Sequence, residues 1–411
     1  MTTTSGARRY EMTLTAVLGL TFGVVFFDRN ALNFLMPFIL KDLPLSNVQI
    51  GMVASGLALS WALSGFLAGY AADRLGKRKP LLLAAVIIFS LASFITGQAT
   101  SFFMLLGARL LMGLAEGPVL PISQSLMAQA CAPERRGLNM GFMQNVLSNL
   151  MGSLVTPLVT VALAIAYGWR STFFFTALPG LVTACLIWKW VKEPAAAVPT
   201  ATVQSKDSGL RAVLASRNVR LCVPISALMV GWMITGWVFL PLYLTTALGL
   251  NPTQMSLMMS VLGVTGALAG FAVPGLSDLW GRKLVMIVGC FLGLLTPVAA
   301  LLGGGTSAAL TLFIGTGWMA GGTFSLFMAT IPAESVAAGR VTTAMALIMG
   351  SGELLGGAAA PTVVGWLADH YGLTAPLIAQ GVFAVGAGSL SLALLETAPL
   401  KRSLAPQQPV L

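Results

Sequence analysis

Five ionisable residues, Asp28, Arg29, Arg109, Glu116 and Glu353, interrupt long apolar stretches of this sequence. A charge at the centre of a membrane helix costs about 2.5–3.5 kcal/mol on insertion scales. Five left unpaired would cost roughly 12–18 kcal/mol, as much as the whole stability of a typical protein. Such groups must pair, face water or take up protons. Arg109 and Glu116 are seven residues apart, so they share a helix face about 10.5 Å apart along the axis. Asp28 and Arg29 are adjacent and diverge around their helix, so Asp28 is expected to meet a cation from another segment, Arg109 first. Asn33 follows Arg29 by one turn, with Asn30 close by. In the first half, two carboxyls balance two cations. Protonating both carboxyls leaves two cations that favour an organic anion, and releasing the protons expels it. The expected chemistry is proton-coupled binding of a carboxylate, with Arg29 as the contact.

Composition dictates what holds these charges. Of 411 residues, 56% are hydrophobic and 9% charged, with mean hydropathy +0.87. A soluble domain carries roughly 25% charged residues. Apolar runs of about 20 residues recur, the length that crosses roughly 30 Å of hydrocarbon. The Gly- and Ala-rich runs lack the dyad alternation of a barrel, so backbone groups must be satisfied within helices. The expected class is an all-α membrane protein. Punctuation by Pro, Gly and charge gives about twelve transmembrane helices, near 12–39, 47–73, 79–99, 102–131, 136–166, 169–191, 218–248, 252–278, 283–303, 307–334, 340–369 and 372–395. Residues 1–9 and 399–411 read as tails.

The net charge of +10 points to no nucleic acid, because of where the cations fall. All but four of the 23 Lys and Arg lie on one side of the expected spans. Lys41 and Arg170 lie on the other side, and Arg29 and Arg109 lie within spans. That asymmetry is the positive-inside rule, and it places both termini in the cytoplasm of a multi-pass inner (plasma) membrane protein. Arg8-Arg9 before an apolar run resembles a signal peptide, but no small-residue cleavage site follows and Asp28-Arg29 interrupts the core. Cys131, Cys185, Cys222 and Cys290 show no ligand spacing, and His370 stands alone, so no metal or cofactor is expected. No nucleophile with its base is visible, so no enzyme is expected.

The longest polar break, 192–217, divides an N-terminal six-helix bundle (1–191) from a C-terminal one (218–411), and residues 209–216 within it suit a short amphipathic helix. The halves repeat each other. Gly65–Lys79 (GFLAGYAADRLGKRK) matches Gly270–Leu284 (GFAVPGLSDLWGRKL), pairing Asp73 with Asp278 and Gly76 with Gly281. Arg136, Pro157 and Gly168 match Arg340, Pro361 and Gly372 at an offset of 204. Duplicated units with a site at their interface are how many transporters are built.

Gly69–Lys79 (GYAADRLGKRK) resembles the major facilitator signature between the second and third spans, G-x-x-x-D-R-x-G-R/K-R/K-K, and Asp278–Lys283 resembles its second copy. The resemblance implies two pseudo-symmetric six-helix bundles. It also implies a cytoplasmic conformational latch built from Gly69, Asp73, Arg74, Gly76, Arg78, Asp278, Gly281 and Arg282. A narrower resemblance joins Phe26–Asn33 (FFDRNALN) to the first-span Y-x-D-R-x-N-L-S/N pattern of anion:cation symporters. Arg109-x-x-x-Gly113-x-x-Glu116-Gly117-Pro118-x-x-Pro121 resembles their fourth span. These proteins carry galactonate, hexuronates and related organic anions. By that resemblance Asp28 and Glu116 carry protons, Arg29 contacts the carboxylate and Arg109 belongs to the coupling network.

Two departures matter. Phe26 stands where the family often has Tyr, and Glu353 is a carboxyl the pattern does not require. Both leave room for a less hydroxylated acid, aromatic or short-chain. Glu353 is a candidate third proton site, a partner for a substrate cation, or a structural hydrogen bonder. Asn30, Asn33, Asn145, Asn149, Trp232, Trp237 and Tyr243 are further substrate-binding candidates, against readings as helix glue or packing. The expectation is a monomeric symporter importing a small organic anion with protons. A drug–proton antiporter is the first rival, although Gly152–Val159 (GSLVTPLV) lacks the paired glycines and Gly-Pro of those exporters. A non-transporting sensor is the second.

Overall fold

The computed structural model describes residues 2–75, 77–132, 135, 139–193, 210–303 and 308–399, and these are helical almost throughout. In the first half α1 (Thr2–Asp42), α2 (Asn47–Leu75) and α3 (Lys79–Gly97) precede α4 (Phe102–Glu116) and α5 (Val119–Ala130). Gly117-Pro118 separates the last two, where a proline removes a backbone donor. Widened π-turns at Phe142–Leu147 and Leu150–Val155 lead into α6 (Thr156–Trp190). A short α7 (Leu210–Leu214), with Val213 buried, precedes the second half. There α8 (Arg217–Leu242) and α9 (Pro252–Trp280) are followed by α10 (Arg282–Leu292), α11 (Leu295–Leu302) and α12 (Ala308–Trp318). The chain closes with α13 (Ile331–Ser335), α14 (Val341–Ser351), α15 (Ala360–Tyr371) and α16 (Thr374–Ser391). The tail expected at 1–9 is instead helical from Thr2, as a continuation of the first span.

Among the described residues, 11 helical stretches are long and apolar enough to cross a membrane. One of them, Leu150–Trp190, has 41 residues. A straight helix of that length would run about 60 Å, twice the hydrocarbon thickness. It is not straight, because Gly168 breaks it at φ 80, ψ 157. Its sequence partner Gly372 breaks α15 from α16 at φ 82, ψ 173. That region of backbone space is essentially reserved for glycine, so the matched glycines make the same turn in both halves. Pro157 and Pro361, the other matched pair, each sit second in a helix that follows a π-turn, Leu150–Val155 and Gly352–Ala359. The proline ring clashes with the carbonyl four residues back, and widening the preceding turn relieves it.

One buried apolar cluster belongs to the first half, from Leu14 to Val191, and a second belongs almost entirely to the second half. A third joins both: Leu35, Ile39, Ile50 and Val53 pack with Phe239, Leu242, Val364 and Ala368. These residues lie at the helix ends furthest from the chain termini. Polar contacts cross between the halves at the same end. The Asp369 carboxylate accepts from the backbone N–H groups of Asn47 and Val48 at 2.8 and 2.9 Å, and Thr362 donates to Ser55 at 2.8 Å. Gly51 lies against the Pro361 carbonyl, and Gly365 against that of Asn47. At the end bearing the termini, the ion pairs Glu11–Arg135, Arg282–Asp278 and Arg282–Glu334 lie within single halves.

Candidate functional site

Three helices assemble the charges. The first, α1, carries Phe26, Asp28 and Arg29; the fourth, α4, carries Arg109 and Glu116; and α2 brings Trp61 beside them. The approach of α2 to α4 requires glycine. A Cβ on Gly113 would strike the Ser60 hydroxyl and the Leu57 carbonyl, and one on Gly117 the Ser64 hydroxyl and the Trp61 carbonyl. Ser64 ties the pair by donating to the Gly113 carbonyl at 3.1 Å.

Asp28, Arg109 and Glu116 are all buried, with exposures of 0%, 1% and 1%. The Asp28 Oδ1 accepts from Ser93 Oγ at 2.6 Å, and Ser93 meets Thr176 at 2.9 Å. Arg109, expected as the direct partner of Asp28, acts on it and on Glu116 through space. Its Nη1 donates to the Arg29 carbonyl at 3.5 Å and to Met112 Sδ at 3.1 Å. The ion pair of the cluster is Arg29 Nε to Glu116 Oε2, 3.5 Å. Arg29 is the solvated member, its side chain 20% exposed. Its guanidinium lies over Trp61 at 5.2 Å and Phe26 at 5.7 Å, attracted by the ring quadrupoles.

The cluster is under-bonded. Asp28 Oδ2, Arg29 Nε, Arg109 Nε and Nη2, and both Glu116 oxygens are buried without a hydrogen bond. The Arg29–Glu116 pair is thus a contact of charges at a distance rather than an aligned bond. Buried charges so poorly served are costly, and a proton or an anion would relieve the cost. From the second half Glu353, in the turn Gly352–Ala359, is half-buried and within electrostatic reach of Arg29.

The other candidates divide. Asn33 and Asn149 are half-buried, and Asn149 Oδ1 would lie 3.3 Å from a Cβ on Gly266. Asn30, expected at the substrate, is instead buried, its amide donating to the Gly152 carbonyl at 2.9 Å. Trp232 is likewise a packing residue: it is fully buried, and its indole N–H donates to the Gly293 carbonyl at 3.0 Å. A buried indole must satisfy that donor. Trp237 is 9% exposed and meets Phe34 and Trp318 edge-on, 5.8 and 4.9 Å between centroids. Tyr243 is buried in the core of the second half. The side chain of Asn145 lies outside the described residues.

Of the expected latch, Gly76 and the side chains of Asp73 and Arg74 lie outside the described residues, as does the surrounding of Gly69. Arg78 Nε donates to Ser125 at 2.7 Å. In the second copy Arg282 pairs with Asp278 at 2.6 Å and Glu334 at 3.0 Å, beyond Gly281 at φ 102. Sequence reasoning missed a repeated cap. Glu193 accepts from the backbone N–H groups of Arg78 and Lys79 at 2.7 and 2.8 Å, and Glu396 from those of Arg282 and Lys283 at 2.8 and 3.2 Å. The signal was present, because the two carboxylates stand 203 residues apart, nearly the offset of the other repeats. Ser93 and Trp61 were also missed, being unremarkable in composition.

Known proteins resemble this chain along most of its length. The hexuronate transporter of Bacillus subtilis (strain 168) is 29% identical over 317 residues, 71% of this chain and 74% of that protein. A probable 4-methylmuconolactone transporter of Cupriavidus pinatubonensis is 26% identical over 389 residues, 92% and 88% of the two chains. Among solved structures, a bacterial homologue of the human lysosomal transporter Spinster, inward-facing and unoccupied, superposes with a TM-score of 0.77 at 17% identity, covering 93% of this chain and 96% of that one. The model of the Major Facilitator Superfamily matches residues 18–331 and 225–410, so the matched glycine turns, the paired halves and the sequence signature have one explanation: the chain belongs to that superfamily.

Proposed function

We propose that this protein is a proton-coupled symporter that imports a small organic anion by alternating access. The observation that carries the reading is the convergence of Asp28, Arg29, Arg109 and Glu116, with Arg29 the partly solvated member and Glu353 within its electrostatic reach from the other half. Arg29 has one carboxylate partner within ion-pair distance, Glu116. A substrate carboxylate competes for the same guanidinium. A proton on Glu116 removes the competitor, and loss of that proton restores it, so anion and proton travel together. Asp28 is the second carrier, Arg109 couples the two, and Glu353 is a third candidate. Asn33, Asn149 and Trp237 remain the substrate contacts beside Arg29. The names of the organic-acid transporters among the relatives support an organic acid as cargo.

The same reading takes the turn at Gly168 as the boundary between two spans, giving twelve in two six-helix bundles, 1–191 and 218–411, joined by 192–217. Both termini are cytoplasmic in the inner membrane, and the monomer is the working unit. Asp278 and Arg282 belong to the latch on the cytoplasmic side.

Purified protein in liposomes with an imposed inward proton gradient tests the reading. Accumulation of a carboxylate together with proton uptake supports it. Efflux of lipophilic drugs in its place supports an antiporter, and absence of flux a sensor.

A further inference from the structure

We infer that the carried anion is an aromatic or similarly apolar monocarboxylate rather than a polyhydroxylated sugar acid, an inference that rests on the symport reading. The walls around Arg29 are rings. Trp61 and Phe26 flank its guanidinium, and Phe22 packs on Phe26 at 5.1 Å. A sugar acid has a hydroxyl on nearly every carbon, and each one buried without a partner costs affinity. In the first half, three polar side chains beside the cluster are already committed: Asn30 donates to Gly152, Ser93 serves Asp28, and Ser64 serves Gly113. The half-buried amide of Asn33 suits one polar substituent, not a chain of hydroxyls.

Charge fixes the number of carboxylates. Arg109 is sealed at 1% exposure, so Arg29 is the member of the cluster that a ligand can reach. A ring laid against Trp61 gains stacking contact while its carboxylate meets the guanidinium that the same ring holds in place.

The test uses the full chain in liposomes under an inward proton gradient, with 3-phenylpropionate, galactonate and phthalate as probes. A parallel measurement follows quenching of intrinsic tryptophan fluorescence by each anion in detergent. The expected result is half-saturation by 3-phenylpropionate at a concentration about 10-fold or more below that of galactonate, with phthalate weaker still. Trp61→Leu should shrink that preference about five-fold, Trp61→Phe should keep most of it, and Phe26→Tyr should move it toward galactonate. Preference for galactonate, with proton uptake intact, overturns the substrate class and leaves symport standing. Binding of 3-phenylpropionate without flux of any probe overturns symport while the class holds, and no binding of it overturns the class.

Discussion

Glu116 and Asp28 differ in what holds them, and that difference separates their roles under substitution. Glu116 lies 3.5 Å from Arg29 and accepts no hydrogen bond, whereas Asp28 is anchored by Ser93 at 2.6 Å. Glu116→Gln removes the competitor for Arg29 permanently. The variant should bind and exchange anion across the membrane yet fail to accumulate it against a gradient, losing the roughly 1.36 kcal/mol per proton and pH unit that coupling supplies. Counterflow and gradient-driven uptake, measured side by side, check this; accumulation equal to the parent would refute the role of Glu116. Arg29→Lys keeps the charge but loses the planar fork and the stack on Trp61, so half-saturation should rise about 10-fold or more, read from uptake curves. The charged residues themselves were legible in the sequence, because an ionisable group in an apolar run is expensive wherever the run folds. The partners of Asn30 and Trp232 were hidden for the opposite reason. An amide or an indole satisfied by a carbonyl over 60 to 120 residues away carries no local mark of that partner.

Helix geometry tests the duplication more directly than any side chain does. Gly168 and Gly372 adopt nearly the same backbone angles, and both lie where a side chain is strained by about 1–3 kcal/mol. Gly168→Ala and Gly372→Ala should each lower the detergent melting temperature by a similar amount, since neither position has a neighbour within 4 Å of a new Cβ and strain alone acts. Unequal effects would mean that the two turns do different work. At Gly113 the prediction is steric: Gly113→Leu pushes α2 from α4, takes Trp61 from Arg29, and should lower binding more than stability suggests. Fluorescence quenching set against melting temperature separates the two effects. The spans were readable because hydrophobic length is a local property. The break inside Leu150–Trp190 was readable through Gly168 as part of a repeat, while hydropathy alone runs across it.

At the scale of the whole molecule, which end of the structure is sealed depends on contacts that no periodicity encodes. The repeat and the spans could be read from one sequence, but the pairing of Asn47 with Asp369, 322 residues away, joins segments that no local pattern relates. Asp369 caps the start of α2 with both carboxylate oxygens, so it satisfies two orphan N–H groups and sets a negative charge against the positive end of the helix dipole. Each effect is worth about 0.5–2 kcal/mol, enough to change the ratio of two conformations several-fold. Asp369→Asn keeps one acceptor and loses the charge; Asp369→Ala loses both. With spin labels at positions 45 and 371 on a background lacking the native cysteines, the parent should show a short distance across this end. The Asn variant should add a longer population, and the Ala variant a larger one. The graded order discriminates clasp from scaffold, because a residue that merely supported folding would broaden both distributions or abolish the protein. Equal, unchanged distances in both variants would place the free energy of closure in the apolar cluster of Leu35, Ile50 and Phe239 instead.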